Sequence, residues 1–187
     1  MGAANLYQHI KIRKGMGYDD EDIERLIFLA SVAMGMDYAD TQVSFFTECA
    51  LAYNTNIGAL HMLELSNRRH AFCFVLDKFK GNKGAHHIHL LSVFANNRGK
   101  GAGRVLLEHV LRDIGNEPIT LEAFPASTPF FTKMGFLARP QKLEHGLTSM
   151  FLNSDGTHDV FQKVGYDSNV KKQYTEKFLE IGNFFNL

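Results

Sequence analysis

A glycine-rich stretch of basic residues at 98–104 contains the groups that an anion-binding turn needs. It matches the pattern Arg/Gln-x-x-Gly-x-Gly/Ala through Arg98, Gly101 and Gly103. It matches neither a Walker A loop nor a dinucleotide-binding fingerprint, because a glycine follows Lys100 and Arg104 stands where the last glycine should be. Glycines allow a tight turn in which successive N–H groups face one anion, and a helix that starts there adds its dipole. The stretch therefore predicts a site for a pyrophosphate group.

Three histidines, His86, His87 and His89, lie shortly before this turn. Imidazole changes its protonation state near neutral pH, so each of them could act as a base or bind a metal. On a strand, His87 and His89 would share one face, and His86 would lie on the other. No cysteine or carboxylate stands at ligand spacing beside them, and we predict no metal site. The alternative is that these are ordinary histidines on a half-solvated strand.

Hydrophobic periodicity predicts two helices and four strands in the part of the chain that precedes the turn. The first helix begins in the acidic cluster at 19–22, and Asp40 or Thr41 caps the second. The predicted strands are residues 7–14, 59–65, 70–79 and 86–94, with turns at 67–68 and 80–84. The buried positions of the second helix are Phe46, Cys49, Ala50 and Tyr53.

After the turn, the pattern predicts an amphipathic helix, a strand at 119–124, a short helix at 127–134 and closing strands at 136–143 and 146–152. Asp167 or Ser168 caps a last helix, with Val170, Tyr174, Phe178 and Ile181 on one side. This last helix packs on the domain before it, or it forms a dimer contact or a lid over the site.

The chain resembles the GNAT superfamily of acetyl-CoA-dependent acyltransferases in two blocks of sequence. Residues 88–107 are similar to that family's fourth strand, pyrophosphate loop and third helix, and residues 121–136 to its fifth strand and fourth helix. The resemblance covers about residues 5–152. It implies an α/β (α+β) fold with a mixed, mostly antiparallel sheet flanked by helices. The implied domain spans 1–152, and a C-terminal extension at 153–187 packs on it or on a partner subunit.

The resemblance also implies acetyl-CoA as co-substrate and a set of residues that hold it. The backbone at 91–93 would pair with the pantetheine arm, the turn would hold the pyrophosphate, and two phenylalanines would flank the thiol end. The implied cofactor-binding residues are Leu91, Ser92, Val93, Arg98, Gly99, Lys100, Gly101, Ala102, Gly103, Arg104, Ser127, Phe130 and Phe131.

One residue departs from the family pattern. Many members carry tyrosine at the position of Phe131 as the proton donor to the leaving thiolate, and phenylalanine has no proton to give. For the general base, the alignment places His87 where some members carry a catalytic glutamate. His89 shares its face, and Glu122 on the next strand could act through a water. The predicted catalytic residues are therefore His87, His89 and Glu122.

Composition narrows the choice of partners and location. Twenty basic and 20 acidic residues give a formal net charge of zero, which argues against nucleic acid as a partner. No apolar stretch is long enough to span a membrane. The two cysteines, Cys49 and Cys73, fit a reducing compartment, and we expect a cytoplasmic protein that could form a homodimer.

Together these features predict an N-acetyltransferase that moves an acetyl group from acetyl-CoA to a primary amine of a small molecule or peptide, by direct transfer in a ternary complex. Two alternatives stay open. One is a regulatory or interaction module that binds acetyl-CoA with little catalysis, for which Phe131 is the reason. The other is acetylation of a protein or an aminoacyl-tRNA.

Overall fold

The computed structural model describes residues 7–35, 39–65, 68–78, 84–143, 146–157 and 165–187. Its strands are β1 (Gln8–Ile12), β2 (Gly58–Leu65), β3 (Arg68–Leu76), β4 (His86–Val93), β5 (Ile119–Ala123), β6 (Leu137–Lys142) and β7 (Thr148–Leu152). Its α-helices are α1 (Asp20–Val32), α2 (Ala39–Asn54), α3 (Ala102–Ile114), α4 (Thr128–Lys133) and α5 (Ser168–Phe185). Within these ranges, no helix is long and apolar enough to cross a membrane.

The strands form one seven-stranded sheet in the order β1-β2-β3-β4-β5-β7-β6. Every described neighbouring pair is antiparallel except β4 and β5, which run parallel. A parallel pair needs a long crossover connection, and α3 provides it. The predicted α/β fold with a mixed, mostly antiparallel sheet is confirmed.

The centre of this sheet opens between β4 and β5. Their pairing ends at Ile88 and Leu121, although β4 continues to Val93. On its other side, β4 stays paired with β3 to the end, with a bulge at His89, the residue that the β3 register skips. Beyond Ile88, the main-chain groups of β4 that point toward β5 have no strand partner in the described sheet. The two strands therefore border a wedge-shaped opening.

One face of the sheet is covered by α1, α2 and α5. Asp19 caps α1 and Asp167 caps α5, each by accepting hydrogen bonds from main-chain N–H groups of the first turn. The Phe178 ring of α5 lies 4.7 Å from that of Phe28 on α1 and 5.5 Å from that of Phe46 on α2. Full burial of a side chain of this size contributes about 2 kcal/mol, and Phe178, which is partly buried, contributes a fraction of that. The C-terminal helix thus packs on helices of its own chain, while the domain boundary after residue 152 stays a prediction.

The other face is covered by α3 and α4. Leu106, Leu107 and Val110 of α3 are fully buried and belong to the same cluster as Ile88 of β4 and Leu121 of β5. The apolar stripe that the sequence places on this helix is therefore the surface that packs on the sheet. This packing fixes the first turn of α3 beside the end of β4.

Several element boundaries differ by one to three residues from the predicted ones, and two of these differences fall on residues predicted as caps or as a turn. The helix α2 begins at Ala39, ahead of both predicted caps, Asp40 and Thr41. The strand β3 begins at Arg68, a predicted turn residue, because Arg68 pairs with Leu65 and extends the ladder. Residue 67 and residues 80–83 of the predicted turns lie outside the described residues. The earlier start of β3 arises because its main-chain pairing with β2 continues to Arg68.

Candidate active site

The opening between β4 and β5 lies in a cavity of about 820 Å³. The end of α1, Phe45 of α2, the outer part of β4, the turn before α3, β5 and α4 contribute to its wall. Small-molecule sites commonly occupy about 300–1,000 Å³. The cofactor residues predicted from the sequence that lie in this wall are Leu91, Ser92, Val93, Arg98, Gly99, Gly101, Ala102, Gly103, Arg104, Ser127, Phe130 and Phe131.

The turn before α3 leaves space and hydrogen-bond donors for an anion. Gly99 and Gly101 have φ values of +73° and +85°, a left-handed conformation that glycine adopts without strain. A side chain on either glycine would extend into open space. Gly101 is the N-cap of α3, and no side chain of the described residues caps the helix there. The N–H groups of the first turn, with the positive end of the helix dipole, are therefore available to a ligand.

Arg98 attaches this turn to the neighbouring main chain. Its Nε donates a hydrogen bond to the carbonyl oxygen of Val93 at 2.9 Å. Its Nη2 donates to the carbonyl oxygens of Ala33 and Met34, beyond the end of α1, at 2.8 and 2.7 Å. These bonds satisfy carbonyl groups that the end of a helix leaves open. The contacts give Arg98 a role in positioning the turn, whereas its direct contact with a pyrophosphate stays a prediction.

Two further basic side chains stand at the turn. Lys100 is exposed and lies outside the cavity wall. Arg104 lines the cavity, and its Nε donates to Oε1 of Glu108, one helical turn later, at 2.8 Å. An exposed ion pair at this spacing contributes only about 0.3–0.5 kcal/mol. Arg104 can therefore exchange this contact for a more highly charged anion at little cost.

Aromatic rings form the wall near α4. Phe131 is 7% exposed, and its ring centroid lies 5.1 Å from that of Phe130 and 5.8 Å from that of Phe136. The hydroxyl of Ser127 donates to the carbonyl oxygen of Phe124 at 3.0 Å. Phe131 also belongs to the core cluster under α3 and α4. At this position the ring contributes packing and shape to the cavity, and it has no proton to donate.

His89 lies in the cavity wall where β4 and β5 separate. Its Nε2 lies 2.8 Å from Oε2 of Glu48 on α2, and the two side chains are 8% and 14% exposed. The Phe45 ring, also from α2, lies 5.2 Å from the imidazole, centroid to centroid. The arrangement places an imidazole that can take up a proton beside a carboxylate that can balance its charge.

Glu122 lines the same cavity from the opposite side of the opening. His87 pairs with Thr120 in the β4–β5 register, and both His89 and Glu122 lie two residues further along their strands. Side chains two residues apart on a strand share a face, so His89 and Glu122 lie on the same face of the sheet. Two of the three predicted catalytic residues therefore border the opening.

His87 lies outside the cavity wall. Its side chain is 5% exposed, and its Nδ1 lies 3.0 Å from Oγ1 of Thr120. Burial, followed by the charge of His89, lowers the pKa of His87 to about 3. A buried imidazole that stays neutral and lies outside the wall is poorly placed to take a proton from a substrate in the cavity. The placement therefore favours His89 over His87 as the base, and the role of His87 stays a prediction.

A family model described as an acetyltransferase (GNAT) domain matches residues 37–150, more than half of the chain. The matched range includes β2–β5, the turn and most of the cavity wall. The chain belongs to the GNAT acetyltransferase family. Acetyl-CoA is accordingly the co-substrate, and acetyl transfer is the general reaction. The features found here fit this group, because the turn and the β4 edge present uncapped main-chain donors to an open cavity.

Solved structures share this GNAT fold at low sequence identity. An acyl-CoA N-acyltransferase from Pseudomonas aeruginosa is 13% identical with a TM-score of 0.59, over 78% of this chain and 98% of its own. An acetyltransferase from Thermus thermophilus is 14% identical with a TM-score of 0.58, over 78% and 96%. The PaiA N-acetyltransferase from Thermoplasma acidophilum, in complex with coenzyme A, is 16% identical with a TM-score of 0.54, over 77% and 98%. A search of curated proteins gave no match.

Sequence reasoning missed several cavity residues of this GNAT protein. Glu48 pairs with His89, and Met34, Phe45 and Phe124 form part of the wall. A signal for Glu48 was present, because it is a carboxylate inside the otherwise uncharged run 41–54 and stands next to buried Cys49. The local sequence pattern does not indicate which strand Glu48 would contact.

The buried histidines predict how stability depends on pH. The pKa of His87, and that of His61 on β2, is lowered by burial from 6.5 to about 3. Between these values the unfolded chain binds a proton that the folded protein excludes, so stability falls as the pH falls from about 6.5. In this range, each of the two histidines lowers the free energy of unfolding by about 1.4 kcal/mol for every unit by which the pH falls.

The variant His87→Gln should make this dependence shallower by about 1.4 kcal/mol per pH unit between pH 6 and 4. Denaturant unfolding at several pH values measures it, with wild type as the reference for all other titrating groups. Identical pH slopes for the two proteins would contradict the burial of His87.

Proposed function

We propose that this GNAT protein transfers the acetyl group of acetyl-CoA to a primary amine, with His89 as the general base. One observation carries the proposal: His89 lies in the cavity wall beside the opened edge of β4, with its Nε2 2.8 Å from a carboxylate oxygen of Glu48. A proton acceptor there stands beside the expected position of the thioester and can take the proton that an attacking amine must lose.

The cofactor end of the proposed complex relies on main-chain groups. The N–H groups at the start of α3 would bind the pyrophosphate, since Gly99 and Gly101 leave that space open. The β4 edge at 91–93 would pair with the pantetheine arm as a neighbouring strand does. Lys100 and Arg104 would add positive charge around the pyrophosphate. Ser127, Phe130 and Phe131 would flank the thiol end.

In the proposed reaction, the bound ammonium first loses one proton to solvent. The free amine nitrogen then attacks the thioester carbonyl carbon, so that a C–N bond forms and the C–S bond breaks. His89 takes the proton that the nitrogen loses, and N–H groups of the β4 edge stabilise the charge on the carbonyl oxygen. The sulfur leaves as a thiolate and takes a proton from water, because Phe131 has none to give. A thiol has a pKa near 8.5, so the thiolate is a tolerable leaving group. The proton on His89 then returns to solvent.

The acceptor end of the cavity favours a cationic amine with an apolar body. Glu122 lies in the wall, and Glu48 lies behind His89, so the local charge attracts a protonated amine. Phe45 and Phe124 line the same cavity and offer apolar contact area. We therefore expect primary amines that carry an alkyl chain or an aromatic ring to be better acceptors than amines of high charge.

Thiol release from acetyl-CoA with a panel of amines tests this function. The panel contains phenylethylamine, octylamine, spermidine, lysine and a peptide with a free N-terminus, with phenylethanol as the matched non-amine. We expect turnover with at least one apolar primary amine and none with the alcohol. Calorimetric binding of acetyl-CoA without thiol release for any amine would contradict the proposal and favour a cofactor-binding module, for which Phe131 is the reason.

A further inference from the structure

Glu48 is an unusual residue for its place in the fold. It is the only charged residue in the part of α2 whose side chains are described, 41–54, and its side chain is 14% exposed. Removing a carboxylate from water costs several kcal/mol, and a buried ion pair contributes little net stability. The pair with His89, which lies in the cavity wall, is thus a poor source of stability. The free-energy cost of burying this carboxylate indicates that Glu48 takes part in the reaction rather than in stabilising the fold.

We propose that Glu48 is a positioning residue for His89. Its carboxylate holds the imidazole at the β4 bulge and stabilises the positive charge that the ring gains when it takes a proton from the acceptor amine. A base that is itself oriented by a third group is a general arrangement for activating an attacking group. The inference rests on the proposed function, which makes His89 the base.

Of the ionisable groups around His89, Glu48 is the best placed to stabilise a positive charge on its imidazole. On β4, the His87 ring lies 5.8 Å from that of His89 and is kept neutral by burial, which lowers its pKa. On β5, Glu122 lies across the opening, in the wall of the cavity and not behind the ring. Among the described residues, no lysine or arginine forms an ion pair with Glu48. A proton gained by His89 therefore provides the counter-charge that this carboxylate otherwise lacks.

Tyr166, in the segment before α5, lies near enough to the Glu48 carboxylate for its pKa to respond to that charge. Burial raises the pKa of Tyr166, the Glu48 carboxylate raises it further, and a hydrogen bond with Ser44 lowers it. Tyr166 lies beyond residues 37–150, the range that the family model matches. The C-terminal segment thus contributes to the surroundings of the proposed pair. Because the Tyr166 phenol is neutral, it does not balance the negative charge of Glu48, and a protonated His89 can do so.

The variant Glu48→Gln tests the role with the best amine from the panel. We expect kcat to fall about 10–100-fold, while KM for acetyl-CoA stays close to the wild-type value. Glu48→Asp keeps the charge and should recover most of the kcat that Glu48→Gln loses.

Glu24→Gln is the matched control, because Glu24 is 4% exposed and paired with Lys177 but lies outside this cavity. It should lose stability and keep the wild-type kcat. The inference is overturned if Glu48→Gln keeps the kcat of the wild type while His89→Ala is impaired, or if Glu48→Asp recovers none of the lost kcat. If the wild type acetylates no amine, the proposed function fails first, and this inference fails with it.

Discussion

His89→Ala is expected to lower kcat for amine acetylation about 100-fold at neutral pH, because a positioned base contributes about 10²–10⁴-fold to such a step. The affinity for acetyl-CoA should stay within about threefold of the wild type, since the expected cofactor contacts lie on the turn and the β4 edge. Steady-state thiol release gives kcat, and calorimetry gives the affinity. Unchanged turnover with the best amine would rule out His89 as the base.

His87→Gln is the matched control for this prediction. His87 lies two residues away on the same face of β4, but it is buried and bonded to Thr120 outside the cavity wall. A glutamine there can keep a polar contact with Thr120, so turnover should stay within about threefold of wild type while stability changes. A loss as large as that of His89→Ala would show that local packing, rather than proton transfer, explains both variants.

Gly101→Ala is expected to weaken acetyl-CoA binding about tenfold or more. Gly101 has φ +85°, and a left-handed conformation costs an alanine about 1–2 kcal/mol. The backbone can relieve that strain only by turning the N–H groups of α3 away from their present directions, and 1.4 kcal/mol corresponds to a factor of about ten in affinity. Titration calorimetry with coenzyme A and with acetyl-CoA measures the loss.

Gly115→Ala separates this effect from a general loss of stability. Gly115 ends the same helix with φ +73°, and a side chain there also meets open space. Both variants should therefore lose stability by thermal denaturation, and only Gly101→Ala should lose affinity. Equal affinities for the two variants would contradict the placement of the pyrophosphate at the start of α3.

Local pattern was sufficient for the elements that form the proposed cofactor side of the cavity. The glycine turn, the amphipathic helix after it and the short helix that carries Phe131 depend on residues close together in the chain, and they lie where they are predicted. The sequence could not distinguish His87 from His89, because both share one strand face. What separates them is depth along β4: the sheet is still paired at His87 and has opened at His89.

The contacts of Glu48 and Arg98 could not be predicted for a related reason. Glu48 contacts His89 of β4, a strand far from α2 in the sequence, and Arg98 donates a hydrogen bond to the carbonyl oxygen of Ala33, 65 residues away. Neither contact follows from periodicity or spacing, since each depends on how α1 and α2 come to rest against the sheet. Such long-range contacts appear only when the whole fold is assembled.

The sheet divides the hydrophobic interior into two clusters, one beneath α1, α2 and α5 and the other beneath α3 and α4. Substitutions far apart without shared partners have nearly additive effects on stability. If the proposed acceptor site is right, repacking α2 around Phe45, while the carbonyl groups at the end of α1 that Arg98 contacts are kept, can change which acceptor fits at little cost to the turn at Gly101. This layout lends itself to directed evolution toward new acceptors, with libraries confined to one side of the sheet.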